Sequence, residues 1–99
     1  MEVLTRARQR LEQLQNTGAT FFLTDVDLAM TLTRIASNSP KDSKKRSRNQ
    51  ANARRAYNEV CRISHGTVLS ENDRNDVEEK LAELRSALRQ LGEQFAKAE

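Results

Sequence analysis

The sequence predicts an all-α protein, a small antiparallel bundle of three to four helices in a single domain over residues 1–99. Three observations predict it. Apolar residues recur at steps of three and four along most of the chain. Capping and turn residues separate these runs. No stretch alternates apolar and polar side chains as a half-buried strand would. At 99 residues the chain has room for one modest core. That core is thin, because only 36% of the residues are hydrophobic and the aromatics are Phe21, Phe22, Tyr57 and Phe95 alone. Self-association is one way to supplement such a core, since an uncovered apolar stripe gains by burial against a copy of itself.

The first helix is expected over about 2–16, where Leu4, Ala7, Leu11 and Leu14 share one stripe and Asn16-Thr17-Gly18 supplies a stop. A second is expected over about 24–37. There the Thr24 hydroxyl would accept from the Asp27 amide, and Leu23 and Leu28 would form a hydrophobic staple. Val26, Ala29, Met30, Leu32, Ile35 and Ala36 give this helix a wide apolar face, which predicts burial on more than one side. Ser37-Asn38-Ser39-Pro40 ends it, because the residue before a proline is pushed away from helical geometry.

Lys41 to Asn52 contains one apolar side chain, Ala51. The third helix therefore starts either at Pro40, with Ser39 and Asp42 as caps and its first turns in water, or near Asn49 after a mobile basic stretch, and it runs to about 64. Ala53, Ala56, Tyr57, Val60, Cys61 and Ile63 fall on one side of it, with Arg48, Arg55 and Arg62 opposite. His65-Gly66 closes it. Ser70 with Asp73 forms a capping box for a last helix over 70–97. Its seam, Val77, Leu81, Leu84, Leu88, Leu91 and Phe95, steps four, three, four, three, four. The short apolar runs Phe21-Phe22-Leu23 and Val68-Leu69 read as lead-in residues folding over helix ends.

The net charge of +3 is unevenly spread. Residues 41–55 carry seven basic side chains against Asp42, and residues from 70 onward carry eight acidic ones against five basic. The N-terminus lacks an apolar signal core and no apolar run is long enough to span a bilayer, so a cytoplasmic home with no membrane contact is expected. The lone Cys61 rules out an intrachain disulfide.

Reactive chemistry finds little support. Cys61 and His65 stand one helical turn apart, but a structural zinc takes four ligands and the chain has no second Cys or His. A di-iron bundle needs Glu three residues before its His, where this chain has Arg62. No base faces a nucleophile, and Gly18, Gly66 and Gly92 are isolated, so no phosphate loop exists. The expectation is a protein without catalytic residues, cofactor, metal or small-molecule ligand.

Residues 24–65, with Asp27-Leu28-Ala29 and Ala53-Arg54-Arg55-Ala56-Tyr57-Asn58-Glu59-Val60, resemble the helical hairpin of tetratricopeptide repeats in their small-residue packing. The resemblance implies a protein-binding scaffold. The repeat's Trp, Gly-Tyr pair and closing Pro are missing, and no second copy follows at its period near 34 residues.

Two function classes follow. The first is a helical protein–protein interaction or regulatory module that binds a protein partner or itself, as a homodimer. The alternative is a nucleic-acid-binding bundle that uses the basic segment 41–55. Its binding surface would be Lys41, Lys44, Lys45, Arg46, Arg48, Arg55 and Arg62, with Asn49, Gln50 and Asn52 as interleaved base readers.

Overall fold

In this computed structural model, the backbone is described for residues 2–95 and the side chains for residues 19–95. Three helices follow one another, α1 (Glu2–Ser37), α2 (Lys44–His65) and α3 (Glu71–Gln90). The connections, 38–43 and 66–70, are short, so consecutive helices run antiparallel and each packs on the others. No strand occurs among the described residues, and no helix among them is long and apolar enough to cross a membrane. The predicted all-α bundle is therefore what the chain forms, with three helices among the described residues.

The core is three seams meeting. On α1 it is Ala19, Phe22, Val26, Ala29, Thr33 and Ala36, and on α2 Ala53, Tyr57, Val60 and Ser64. On α3 it is Val77, Leu81, Leu84 and Leu88. Ala19, Ala29 and Ala36 on α1 and Ala53 on α2 share the core with the leucines of α3, and such small side chains let helices approach closely. Thr33 enters the core because its hydroxyl donates to the Met30 carbonyl at 2.6 Å, which leaves no unpaired donor.

Two expected helices are one. The chain does not break at Asn16-Thr17-Gly18, and α1 passes through them. A glycine inside a helix costs about 1 kcal/mol against alanine. Continuing the helix puts Ala19 and Phe22 into the core, and burial of a large apolar side chain contributes roughly 1.5–3 kcal/mol. Burial wins. The cap predicted at Thr24 is then unnecessary, and the staple is not made, because Leu28 is exposed. Phe21-Phe22-Leu23 is one turn inside α1, with Phe22 buried and Phe21 exposed. The side chains of Leu4, Ala7, Leu11 and Leu14 lie outside those described.

The start of α2 also differs from both alternatives. Ser43 is its N-cap, and its hydroxyl oxygen accepts from the Arg46 amide at 3.1 Å. Ser39 and Asp42 do not cap it; the Ser39 hydroxyl donates to the Ile35 carbonyl at 2.7 Å. Residues 44–50 are helical although none is buried. Polar ties hold them instead: Arg46 Nη1 reaches the carbonyls of Ala36 and Ser39, and Gln50 Nε2 donates to Glu93 Oε2 at 2.6 Å. At the other end Gly66 takes the cap position as expected, though with φ −91 and so without a left-handed turn. In the following connection Val68 is exposed, while Leu69 is packed against the core.

Helix α3 begins as predicted, with the Ser70 hydroxyl oxygen accepting from the Asp73 amide at 3.1 Å. It ends seven residues short of the predicted 97. The reason is Gly92, which has φ +102. Its amide donates to Arg89, and that of Glu93 reaches back to the Leu88 carbonyl at 3.0 Å, the pair of bonds that terminates a helix in a Schellman motif. Phe95 therefore does not extend the seam. It returns across the bundle end to meet the Tyr57 ring edge-on, with centroids 5.1 Å apart.

Leu84 is fully buried, so Leu84→Ala is expected to cost about 2–5 kcal/mol in urea unfolding. Gly92→Ala places a Cβ in free space but in a left-handed backbone, and about 1–2 kcal/mol of destabilisation is expected. A neutral result at both sites would contradict the seam and its terminus.

Candidate functional site

The basic segment is split between two jobs. Lys44, Arg48, Arg55 and Arg62, at steps of four, seven and seven, lie within about 40° of one another at 100° per residue, and all four are exposed. They form a ridge about 27 Å long at 1.5 Å per residue on the outer face of α2. Lys41 is exposed in the turn before the helix, and Lys45 is exposed to one side of the ridge. Arg46 is not part of this surface, because it closes the C-terminal end of α1. Arg54, counted in the same charge cluster, turns the other way. Its Nη1 donates to the Gln94 carbonyl at 3.0 Å, and its guanidinium lies 3.9 Å from the Phe95 ring centroid.

The interleaved amides are also accounted for differently. Gln50 is tied to Glu93, and Asn49 Nδ2 donates to the Lys45 carbonyl at 2.8 Å, whereas Asn52 is exposed. Arg62 is bonded to Glu59 at 2.7 Å on the helix surface, so the ridge carries one negative charge near its end.

A second surface was not foreseen. Phe21, Leu28 and Ile63 are 56%, 59% and 39% exposed, unusual for side chains this large. Phe21 lies 16 residues before the end of α1 and Ile63 lies 19 residues after the start of α2. At about 1.5 Å per residue both stand roughly 24–28 Å from the hairpin between these helices. On α1 the exposed neighbours along the same strip are Thr20, Thr24 and Thr31. Asp27, also exposed, stands one turn from Thr24 and Thr31 with its carboxylate 3.8 Å from Lys80 Nζ on α3, so the strip carries one charge and that charge is paired.

The third feature lies between α2 and α3, which pack mainly on α1 and touch each other least. A half-open groove of about 690 Å³ separates them. Tyr57 and Leu81 are among the side chains that line it, and Arg62, His65, Arg74 and Arg85 bring the basic groups. The ring of Tyr57 is buried, and its hydroxyl accepts from Arg85 Nε at 2.8 Å. Burial pushes the phenol above its ordinary pKa of 10.0, a hydrogen bond and charge interaction with Cys61 push the same way, and Arg85 opposes them. Arg74 closes the end of α2 by donating to the carbonyls of Ser64 and Thr67. Cys61 and His65 also line the groove, and no cluster of three or more His, Cys, Asp or Glu side chains fit to hold a metal ion occurs among the described residues.

No protein-family model matches the chain, and neither a curated protein nor a solved structure matches it.

Because the fold favours the neutral phenol, the Tyr57 contribution to stability is full below the unfolded pKa of 10.0 and is lost as pH rises above it. Tyr57 is the only tyrosine, so tyrosinate absorbance titrates it alone. The midpoint is expected above 10.0 in the folded protein and back at that value in denaturant. Equal midpoints would contradict the buried, bonded phenol.

Proposed function

We propose that this chain is a helical interaction module without catalytic activity, and that it docks a second copy of itself along the α1 strip Thr20, Phe21, Thr24, Leu28 and Thr31. The single observation carrying the reading is that the large apolar side chains Phe21 and Leu28 stand exposed among threonines on a strip whose one charge, Asp27, is paired with Lys80. Interface centres are depleted of charged residues in the same way, because a charge buried there loses its water. Two such strips laid antiparallel set Phe21 of one copy against Leu28 of the other, and the reverse pair follows by two-fold symmetry. Threonine side chains at the intervening positions are short, so the two helices can approach closely.

A second reading, nucleic-acid binding, is supported by the alignment and exposure of Lys44, Arg48, Arg55 and Arg62 on one ridge. The ridge offers cations for phosphate contacts. Gln50 and Arg46, now tied elsewhere, do not contribute to it.

Sedimentation velocity over a range of concentrations tests the first reading. A concentration-dependent dimer is expected, and Leu28→Glu should weaken it by about tenfold or more while leaving thermal stability within about 0.5 kcal/mol, since the residue is exposed. A monomer at every concentration would overturn self-association. Titration of labelled duplex and single strands at two salt concentrations tests the second. Binding that weakens steeply with salt would support it, and absence of binding at low salt would eliminate it.

A further inference from the structure

The groove between α2 and α3 is a separate feature from the α1 strip. Its volume, about 690 Å³, falls within the roughly 300–1,000 Å³ typical of small-molecule sites. It exists because both helices follow the seam of α1 more closely than they follow each other, and because the α2 seam ends in a small side chain, Ser64. Tyr57 and Leu81 close its base but are themselves 3% and 6% exposed, so the apolar surface open to a ligand belongs to the half-buried Cys61 and the aliphatic stems of the lining arginines. Three arginines, Arg62, Arg74 and Arg85, line it against one glutamate, Glu78, with Arg62 at the rim, where its guanidinium pairs with Glu59. With His65 neutral, the lining carries a net charge of +2. Two of the arginines are held by part-buried bonds, Arg74 by the carbonyls of Ser64 and Thr67 and Arg85 by the Tyr57 hydroxyl, whereas Arg62 is exposed and pairs with Glu59 on the helix surface. Held donors lose less freedom when a ligand arrives, which favours binding.

We propose that this groove binds a small organic anion, a carboxylate carried on a flat apolar body. The apolar body would lie over Cys61 and the arginine stems above Tyr57 and Leu81, where it leaves water, and the carboxylate would meet the guanidinium groups, which match a carboxylate's two oxygens in geometry. An anion without an apolar part uses only the cationic rim. An apolar molecule without charge uses only that apolar surface. This inference departs from the sequence-based expectation of no small-molecule ligand, since no residue motif marks a groove made by the spacing of two helices. It does not depend on self-association, because the groove and the strip share no residue.

The test is titration of the isotope-labelled protein with naphthalene-1-carboxylate, followed by amide and side-chain NMR shifts. Naphthalene-1-carboxamide and inorganic phosphate serve as the two controls. The expected result is saturable binding, with shifts centred on Tyr57, Cys61, Leu81 and Arg85. The uncharged amide and phosphate should each bind at least about tenfold more weakly, the scale of one charge-assisted contact. The variant Arg85→Gln should weaken the acid by about tenfold and leave the amide unchanged. Because Arg85 also supports Tyr57, the exposed Arg62→Gln provides a second variant that does not disturb the core, and it should weaken the acid severalfold. Alkylation of Cys61, the only cysteine, should slow in the presence of the acid and not of phosphate. Equal affinity for acid and amide, shifts centred on Phe21 and Leu28, or no saturation would each overturn the proposal.

Discussion

One constraint organises the molecule: the stripe from Ala19 to Ala36 on α1 has to be covered along its whole length, and no single neighbour does it. Both α2 and α3 are placed by that stripe. They lie side by side on α1 and meet each other only thinly, so the same constraint that builds the core opens the groove between them. It also keeps α1 helical through Gly18, since a break there would take Phe22 out of the core. What is left over on α1 is the exposed strip with Phe21 and Leu28.

Arginine does much of the joining. Arg46 and Arg74 perform the same task at successive connections, each lying in the first turns of one helix and donating to carbonyls at the end of the helix before it. The carbonyls of Ala36 and Ser64 also accept from the amides of Ser39 and Thr67, so each arginine adds a second bond at a helix end, where a cation answers the negative end of the helix dipole. Arg54 holds the segment after α3 through the Gln94 carbonyl and the Phe95 ring. The apparent block of positive charge in 41–55 is therefore part tether and part surface. A thin core explains why such ties matter: with few large side chains, helix ends are fixed by directed bonds.

The sequence made some of this legible and some not. The α3 seam, the Ser70 cap and the buried face at Ala53, Tyr57 and Val60 could be read directly, because each rests on local spacing. The continuity of α1 could not, because Gly18 is a local stop signal that loses to a long-range gain. The ordering of residues 44–50 was hidden for a similar reason, since it depends on Arg46 and Gln50 meeting atoms distant in sequence. The end of α3 was within reach. Leu91-Gly92 follows the last buried leucine, and the run of apolar spacing to Phe95 obscured the glycine that ends the helix. Of the candidate surface, the outward direction of Lys44, Arg48, Arg55 and Arg62 followed from helical spacing, whereas the inward turn of Arg46 did not. The exposed strip and the groove depend on which faces of α1 the other helices leave open, which periodicity alone does not fix.

The most direct test of the shared stripe is native-state hydrogen exchange at the amides of Val26, Tyr57 and Leu84, one from each helix core. If α2 and α3 both depend on α1, the three amides open together and share one free energy of exchange, that of global unfolding. An α3 amide that exchanges through its own, much lower opening while those of α1 and α2 remain protected would contradict the account.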